Sequence, residues 1–202
     1  MSLDYNNIQK QSAIPKASSM IETFRAIGYS LETAVADIID NSISAEAKNI
    51  YINRVWKGGE SIITIRDDGY GMSNEEIIQA MRPGAQNPLE ERSLTDLGRF
   101  GLGLKTASFS QCRNLTVMSK QEEGAVSYWT WSLDYVAQSD KWELIKWAPD
   151  EYINALEDVA RGTIVIWSHL DRVIPSATRE EDENAKRKFS EVFDKVKRHL
   201  SM

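Results

Sequence analysis

Cysteine, histidine and proline are scarce in this chain, with one, two and five among 202 residues. The lone thiol, Cys112, excludes an internal disulfide and reads as a small buried hydrophobe beside an apparent strand. The two histidines, His169 and His199, are isolated, and no Cys/His run has the spacing of a zinc site. Long apolar runs are absent too: nothing approaches the roughly 20 residues of a membrane span. The opening Met1-Ser2-Leu3-Asp4 lacks the basic and apolar regions of a secretory signal. The expectation is a cytoplasmic protein with no membrane partner. Positive charge is in deficit, and a net charge of -6 argues against broad nucleic-acid binding. The clusters Lys186-Arg187-Lys188 and Lys195-Val196-Lys197-Arg198 read as a solvated helix face interleaved with acids, and they are the one place suited to DNA contact.

What is present suits a sizeable core: 42% of the residues are hydrophobic and 9% aromatic. Residues 1–14 are polar and read as an arm. From Pro15, Met20, Ile21, Phe24 and Ile27 have helical spacing, ended by Gly28. Ser30 suits an N-cap for a second helix whose Leu31, Ala34, Val35, Ile38 and Ile39 share one face. Strands are expected at 49–56 and 61–66 around Gly58-Gly59, and a helix from the cap Ser73 to Met81, stopped by Pro83-Gly84. The stretch 84–96 is polar and aperiodic, a long loop of the kind that is often functional. A helix at 103–110, strands at 112–119, 126–133, 142–147 and 163–168, and a charged helix over 179–200 complete the pattern. Phe189, Val192, Phe193 and Val196 line one side of that last helix. The fold class expected is α+β: a two-layer sandwich, with a mixed sheet and helices on one face. Its divisions would be an arm (1–14), one domain (15–175) and a terminal helix (176–202). The third part reads as a linker or the start of a following domain, in a fragment whose natural sequence continues.

Three segments carry chemistry. Asp37 and Asn41 lie four apart on the second helix, on one face and off its apolar stripe. An amide oxygen suits a hard cation such as Mg²⁺, and a carboxylate one turn away can take a proton from a water attacking a phosphate. The same pair also suits an ordinary solvated helix face. Asp67-Asp68-Gly69-Tyr70-Gly71-Met72 follows a strand. Its glycines let backbone approach a flat ligand, and a carboxylate there can accept from an exocyclic amino group such as that of adenine. An acidic turn leading into the next helix fits the residues equally. In Gly98-Arg99-Phe100-Gly101-Leu102-Gly103-Leu104-Lys105-Thr106 three glycines free backbone N–H groups for an anion, with Arg99 and Lys105 adding charge. The spacing departs from the dinucleotide fingerprint and lacks the ending of a P-loop.

In this order the segments resemble the motifs of the GHKL ATPases, the superfamily of gyrase B, the large heat-shock chaperone, histidine kinases and MutL, with MORC-type and chaperone-type members the most similar. Ala36 to Ser42 is similar to the first motif, Asp67 to Met72 to the second, Leu97 to Ser108 to the third and Arg161 to Trp167 to the fourth. The resemblance implies a Bergerat-type sandwich that binds ATP and hydrolyses it with Mg²⁺. Asn41 would ligate the magnesium and Asp67 would recognise adenine. Gly69, Gly71 and Met72 would border base and ribose. Gly98, Arg99, Phe100, Gly101, Leu102, Gly103, Leu104 and Lys105 would wrap the phosphates, Thr163 would steady Asp67, and 84–96 would be the lid. Asp37 would activate water where hydrolysing relatives carry glutamate, with a reach about 1.5 Å shorter. Ser44 stands where several relatives carry aspartate. Nucleotide-driven lid closure and homodimerisation would power an attached machine acting on DNA or on a protein client. Hydrolysis would be slow without a following domain that reaches the γ-phosphate. A histidine-kinase-like domain and a non-catalytic ATP sensor are the competing functions; the first would want asparagine at position 37.

Overall fold

The computed structural model describes residues 5–84 and 103–200. In chain order these carry α1 (Ala17–Ala26), α2 (Leu31–Ser44), β1 (Ile50–Val55), β2 (Ile62–Asp67), α3 (Asn74–Met81) and α4 (Gly103–Phe109). They continue with β3 (Asn114–Lys120), β4 (Ser127–Ser132), α5 (Leu133–Ser139), α6 (Asp150–Glu157), β5 (Gly162–Ser168) and α7 (Glu183–Leu200). Residues 5–14 form neither helix nor strand. Gly98 to Leu102, and all of the expected lid but Gly84, lie outside the described residues.

The helix starts follow from local hydrogen bonding. The Ser30 hydroxyl accepts from the Thr33 N–H at 3.2 Å and opens α2. At α3 the exchange is reciprocal: Ser73 Oγ accepts from Glu76 N–H at 3.3 Å, and Glu76 Oε2 accepts from Ser73 N–H at 2.7 Å.

The sheet order is β1-β2-β5-β3-β4. The expected mixed sheet is instead antiparallel at every pairing among the described residues. β2 and β3 do run the same way, joined through α3 and α4, but they are not neighbours. β5 enters between them from the opposite direction and pairs with both, so no parallel ladder forms.

Register then decides what each face carries. Ile63, Trp167 and Leu115 form one cross-strand row, and Ile65, Val165 and Val117 the next. Both rows face the helices, with Trp131 and Trp129 of β4 extending them. Against them pack Leu31, Ala34, Val35 and Ile38 of α2, the stripe read from the sequence. Leu31, Val35 and Ile38 each contribute about 1.5–3 kcal/mol on burial, and Ala34 less.

Helices are not confined to that face. α6 covers the other one, with Leu156 and Ile153 against Met118, Ile164 and Ile166. The reason lies in β5, whose apolar residues run continuously from Ile164 to Trp167 and need cover on both sides. The expected strand at 142–147 reduces to one bridge: Thr130 N–H donates to Ile145 O at 2.9 Å, and Ile145 N–H to Thr130 O at 2.8 Å. α5 follows β4 directly because the Ser132 hydroxyl caps it, and Asp140 ends it at φ 53°.

The terminal helix joins the same core. Phe189, Phe193 and Val196 of α7 are buried with α2, and the Phe189 ring stands 5.8 Å from that of Trp56. Trp56 Nε1 donates to Glu180 O at 2.7 Å, tying the β1–β2 hairpin to the lead-in of α7.

Candidate nucleotide site

The row beyond Ile65, Val165 and Val117 is polar. Asp67, Thr163 and Ser119 stand opposite one another at the ends of β2, β5 and β3, on the helix-facing side. Asp67 is 7% exposed. Its Oδ2 accepts from Ser42 Oγ of α2 at 2.8 Å and its Oδ1 from the Gly69 N–H at 3.0 Å. Burial raises its pKa, opposed by these bonds and one from the Thr163 N–H. Ionised, the carboxylate has about four lone-pair positions, so it keeps acceptor capacity for a ligand donor.

The turn after Asp67 is pressed against its surroundings. A Cβ on Gly69 would lie 2.8 Å from Ala45 O, and one on Gly71, at φ 73°, would collide with Lys120 O. Met72 N–H donates to Ser119 Oγ at 2.8 Å, and that hydroxyl also bonds Thr163 Oγ1 at 2.8 Å and Gly162 O at 3.0 Å. Thr163 is therefore turned to Ser119 by its hydroxyl and to Asp67 by its backbone. The neighbouring Asp68 is held differently. Hydrogen bonds from the backbone and side chain of Asn49 and from Lys48 N–H pull its pKa down to about 2.

Asp37 is half-buried on α2 and faces the start of α4: a Cβ on Gly103 would lie 3.6 Å from its Oδ2. Burial raises its pKa, a Tyr29 hydrogen bond lowers it, and Asp40 adds a smaller upward push. One turn on, Asn41 is exposed, with no side-chain hydrogen bond among the described residues. Its amide oxygen is open to a cation. No group of three or more His, Cys, Asp or Glu among the described residues is arranged for a metal, so a cation here would depend on Asn41 and on the ligand's own oxygens.

Leu104 packs partly buried on the main core. Lys105 is 2% exposed, and its Nζ donates to Ala80 O at 2.8 Å and Arg82 O at 3.2 Å, at the end of α3. Burial lowers its pKa to about 8. Its charge thus sits on helix C-terminal carbonyls. The Ser44 hydroxyl is buried with no hydrogen-bond partner among the described residues.

The structure thus gathers Asp67, Gly69, Gly71, Met72 and Thr163 around one sheet end, with Asp37 and Asn41 on the helix that Ser42 pins to it. Ser42 and Ser119 are the residues that reading by motif leaves without a role. Each had a signal. Ser42 is a hydroxyl four places after Ile38 on the buried stripe, and Ser119 follows Leu115 and Val117 at an inward strand position.

A family model described as "Histidine kinase-, DNA gyrase B-, and HSP90-like ATPase" matches residues 29–163. Among curated proteins, ATPase morc-1 of Caenorhabditis elegans is 31% identical over 90 residues, 45% of this chain and 10% of that protein. The DNA mismatch repair protein MutL of Clostridium beijerinckii is 35% identical over 98 residues, 48% of this chain and 15% of the relative. MutL of Dictyoglomus turgidum is 34% identical over 92 residues, 45% and 16% respectively. The chain therefore spans only a small part of the length of these relatives.

Proposed function

The chain belongs to the histidine kinase-, DNA gyrase B- and HSP90-like ATPases, and on that premise we propose that it seats ATP between α2 and the Asp67 turn and hydrolyses it. The observation that carries this reading is the buried Asp67 carboxylate, held by Ser42 and Gly69 beside a turn whose glycines pack against Ala45 and Lys120. Its spare lone pairs accept the adenine amino group, and the glycine turn lets the base lie against backbone. Asn41 offers its amide oxygen to Mg²⁺, which would neutralise phosphate charge. Asp37 takes the proton from the attacking water. Its raised pKa makes it a stronger base than an exposed aspartate. The phosphate role of Gly98, Arg99, Phe100, Gly101 and Leu102 rests on the sequence resemblance, and the placement of Lys105 gives that residue a support role behind α4.

In the same reading, nucleotide-driven closure and pairing of two copies drive an attached machine, and hydrolysis is slow without a following domain. A DNA-directed machine is favoured by the mismatch-repair relatives. An acid at position 37 favours hydrolysis over phosphotransfer to histidine.

Calorimetry with ATP and ADP, run beside phosphate release, tests this. Asp67→Asn is expected to weaken both nucleotides by roughly 100-fold, and Asp37→Ala to keep affinity while turnover falls roughly 10²–10⁴-fold. Unchanged turnover in Asp37→Ala removes that residue from its role. Binding without phosphate release identifies a sensor, and label transfer to a protein histidine identifies a kinase.

A further inference from the structure

A second concavity, of about 760 Å³, opens where α1, α3, β4 and the segment after α5 meet, and it shares no residue with the Asp67 site. Its walls are Met20 and Phe24 of α1, Ile78 of α3, Trp129 and Trp131 of β4, and Trp142. The cavity follows from the fold. β4 is an edge strand, and its inward row carries Trp131, which is buried, and Trp129, which the helices cover only in part.

Two of the three indoles have their donor engaged. Trp129 Nε1 donates to Asn74 Oδ1 at 3.0 Å and Trp131 Nε1 to Met81 O at 2.9 Å. Trp142 stands edge-on to Trp131, with ring centroids 6.1 Å apart at 90°. The walls therefore offer mainly aromatic surface, with the N–H groups of Trp129 and Trp131 turned to the protein.

Two ionisable residues border the cavity, Arg82 and Glu143. Glu143 is already compensated: Tyr135 Oη donates to its Oε2 at 2.6 Å, and Lys141 Nζ lies 3.7 Å from Oε1. The Arg82 guanidinium is exposed and has no ion pair among the described residues. An apolar cavity with a fork-shaped cation at its rim, unpaired among the described residues, is complementary to a flat molecule carrying one carboxylate. We propose that it binds an aromatic monocarboxylate, the flat body among the tryptophans and the carboxylate on Arg82. An organic cation is disfavoured by Arg82 itself and by the neutralised Glu143. Because Arg82 O also accepts from Lys105 of α4, the occupant would touch the helix end that supports that lysine.

The test uses naphthalene-2-carboxylate, 2-naphthylmethanol and 2-naphthylmethylammonium, with binding read from tryptophan fluorescence and indole N–H shifts. Saturable binding of the carboxylate is expected, roughly tenfold tighter than the alcohol. Arg82→Gln should erase that preference without weakening the alcohol, and Ile78→Trp should fill the cavity and abolish both, each variant being checked for an unchanged circular dichroism spectrum. Equal affinity for acid and alcohol, a preference for the ammonium, no effect of Arg82→Gln, or no saturable signal in the wild type would each overturn the proposal.

Discussion

At one end of β2, β5 and β3 the inward row is Ile63, Trp167 and Leu115; at the other it is Asp67, Thr163 and Ser119. Both rows are buried, sit on the same three strands and face the same helical layer. The first has one hydrogen bond to satisfy, from Trp167 Nε1 to Ser108 Oγ at 2.8 Å. The second consists of hydroxyls and a carboxylate, bound to one another's strands and to α2. The contrast teaches where this sandwich keeps its stability and where the proposed nucleotide site sits. Burying an aliphatic or indole side chain stabilises outright, whereas burying a carboxylate costs free energy that only its donors offset.

The sharpest way to break the comparison is at the apolar end. Trp167→Ala removes a fully buried indole and orphans Ser108, and about 3–5 kcal/mol of stability should go with it. In a chain of this size that is a fall in Tm of roughly 6–20 °C by calorimetry, with nucleotide affinity of the remaining folded protein little changed. A loss of binding without a loss of stability would mean that the two ends are not separable.

At the polar end the smaller substitution Ser119→Ala should do the reverse. It leaves the Met72 N–H without an acceptor and frees the turn beside Asp67, and ATP affinity is expected to fall about 5–20-fold, some 1–2 kcal/mol. Isothermal titration checks this, and Ser119→Thr should recover part of the loss.

The smallest effects separate Asp67 from Asp68 by pH. Asp67 titrates above its ordinary 3.8 because burial disfavours the anion, so its stabilising contribution is present when protonated and is lost as pH rises through the folded value. Asp68 is held down to about 2, so its contribution is present above 3.8 and is lost as pH falls toward 2. Tm against pH should therefore show Asp67→Asn gaining on the wild type as pH rises above 3.8. Asp68→Asn should instead lag most at neutral pH and converge with the wild type near pH 2. Parallel curves for the two variants would remove the distinction. By the same reasoning ATP binding should weaken as acid protonates Asp67.

Much of this was legible in the residues because the signals are local. The caps Ser30 and Ser73, the stripe on α2, the Gly69–Gly71 turn and the inward alternation of β2 and β3 each follow from propensities within a few positions of chain. α5 was not legible, since a strand pattern runs through Trp131 into Leu133 and only the Ser132 cap divides them. α6 and the antiparallel sheet were hidden for another reason. Which face of β5 needs cover, and which strands it separates, depend on partners distant in sequence.

Taken alone, the order of the segments carrying Asp37, Asn41, Asp67 and the glycines pointed to the family that matches residues 29–163, because caps, turn glycines and polar pairs on a helix are written within a few positions of chain. Only the folded chain decided the rest. Insertion of β5 between β2 and β3 set Thr163 and Ser119 beside Asp67, and burial then raised the pKa of that carboxylate. Packing likewise drew Lys105 onto α3 and left three tryptophans around a cavity with Arg82 at its rim. Register and burial act across the sheet, between residues that no local pattern connects.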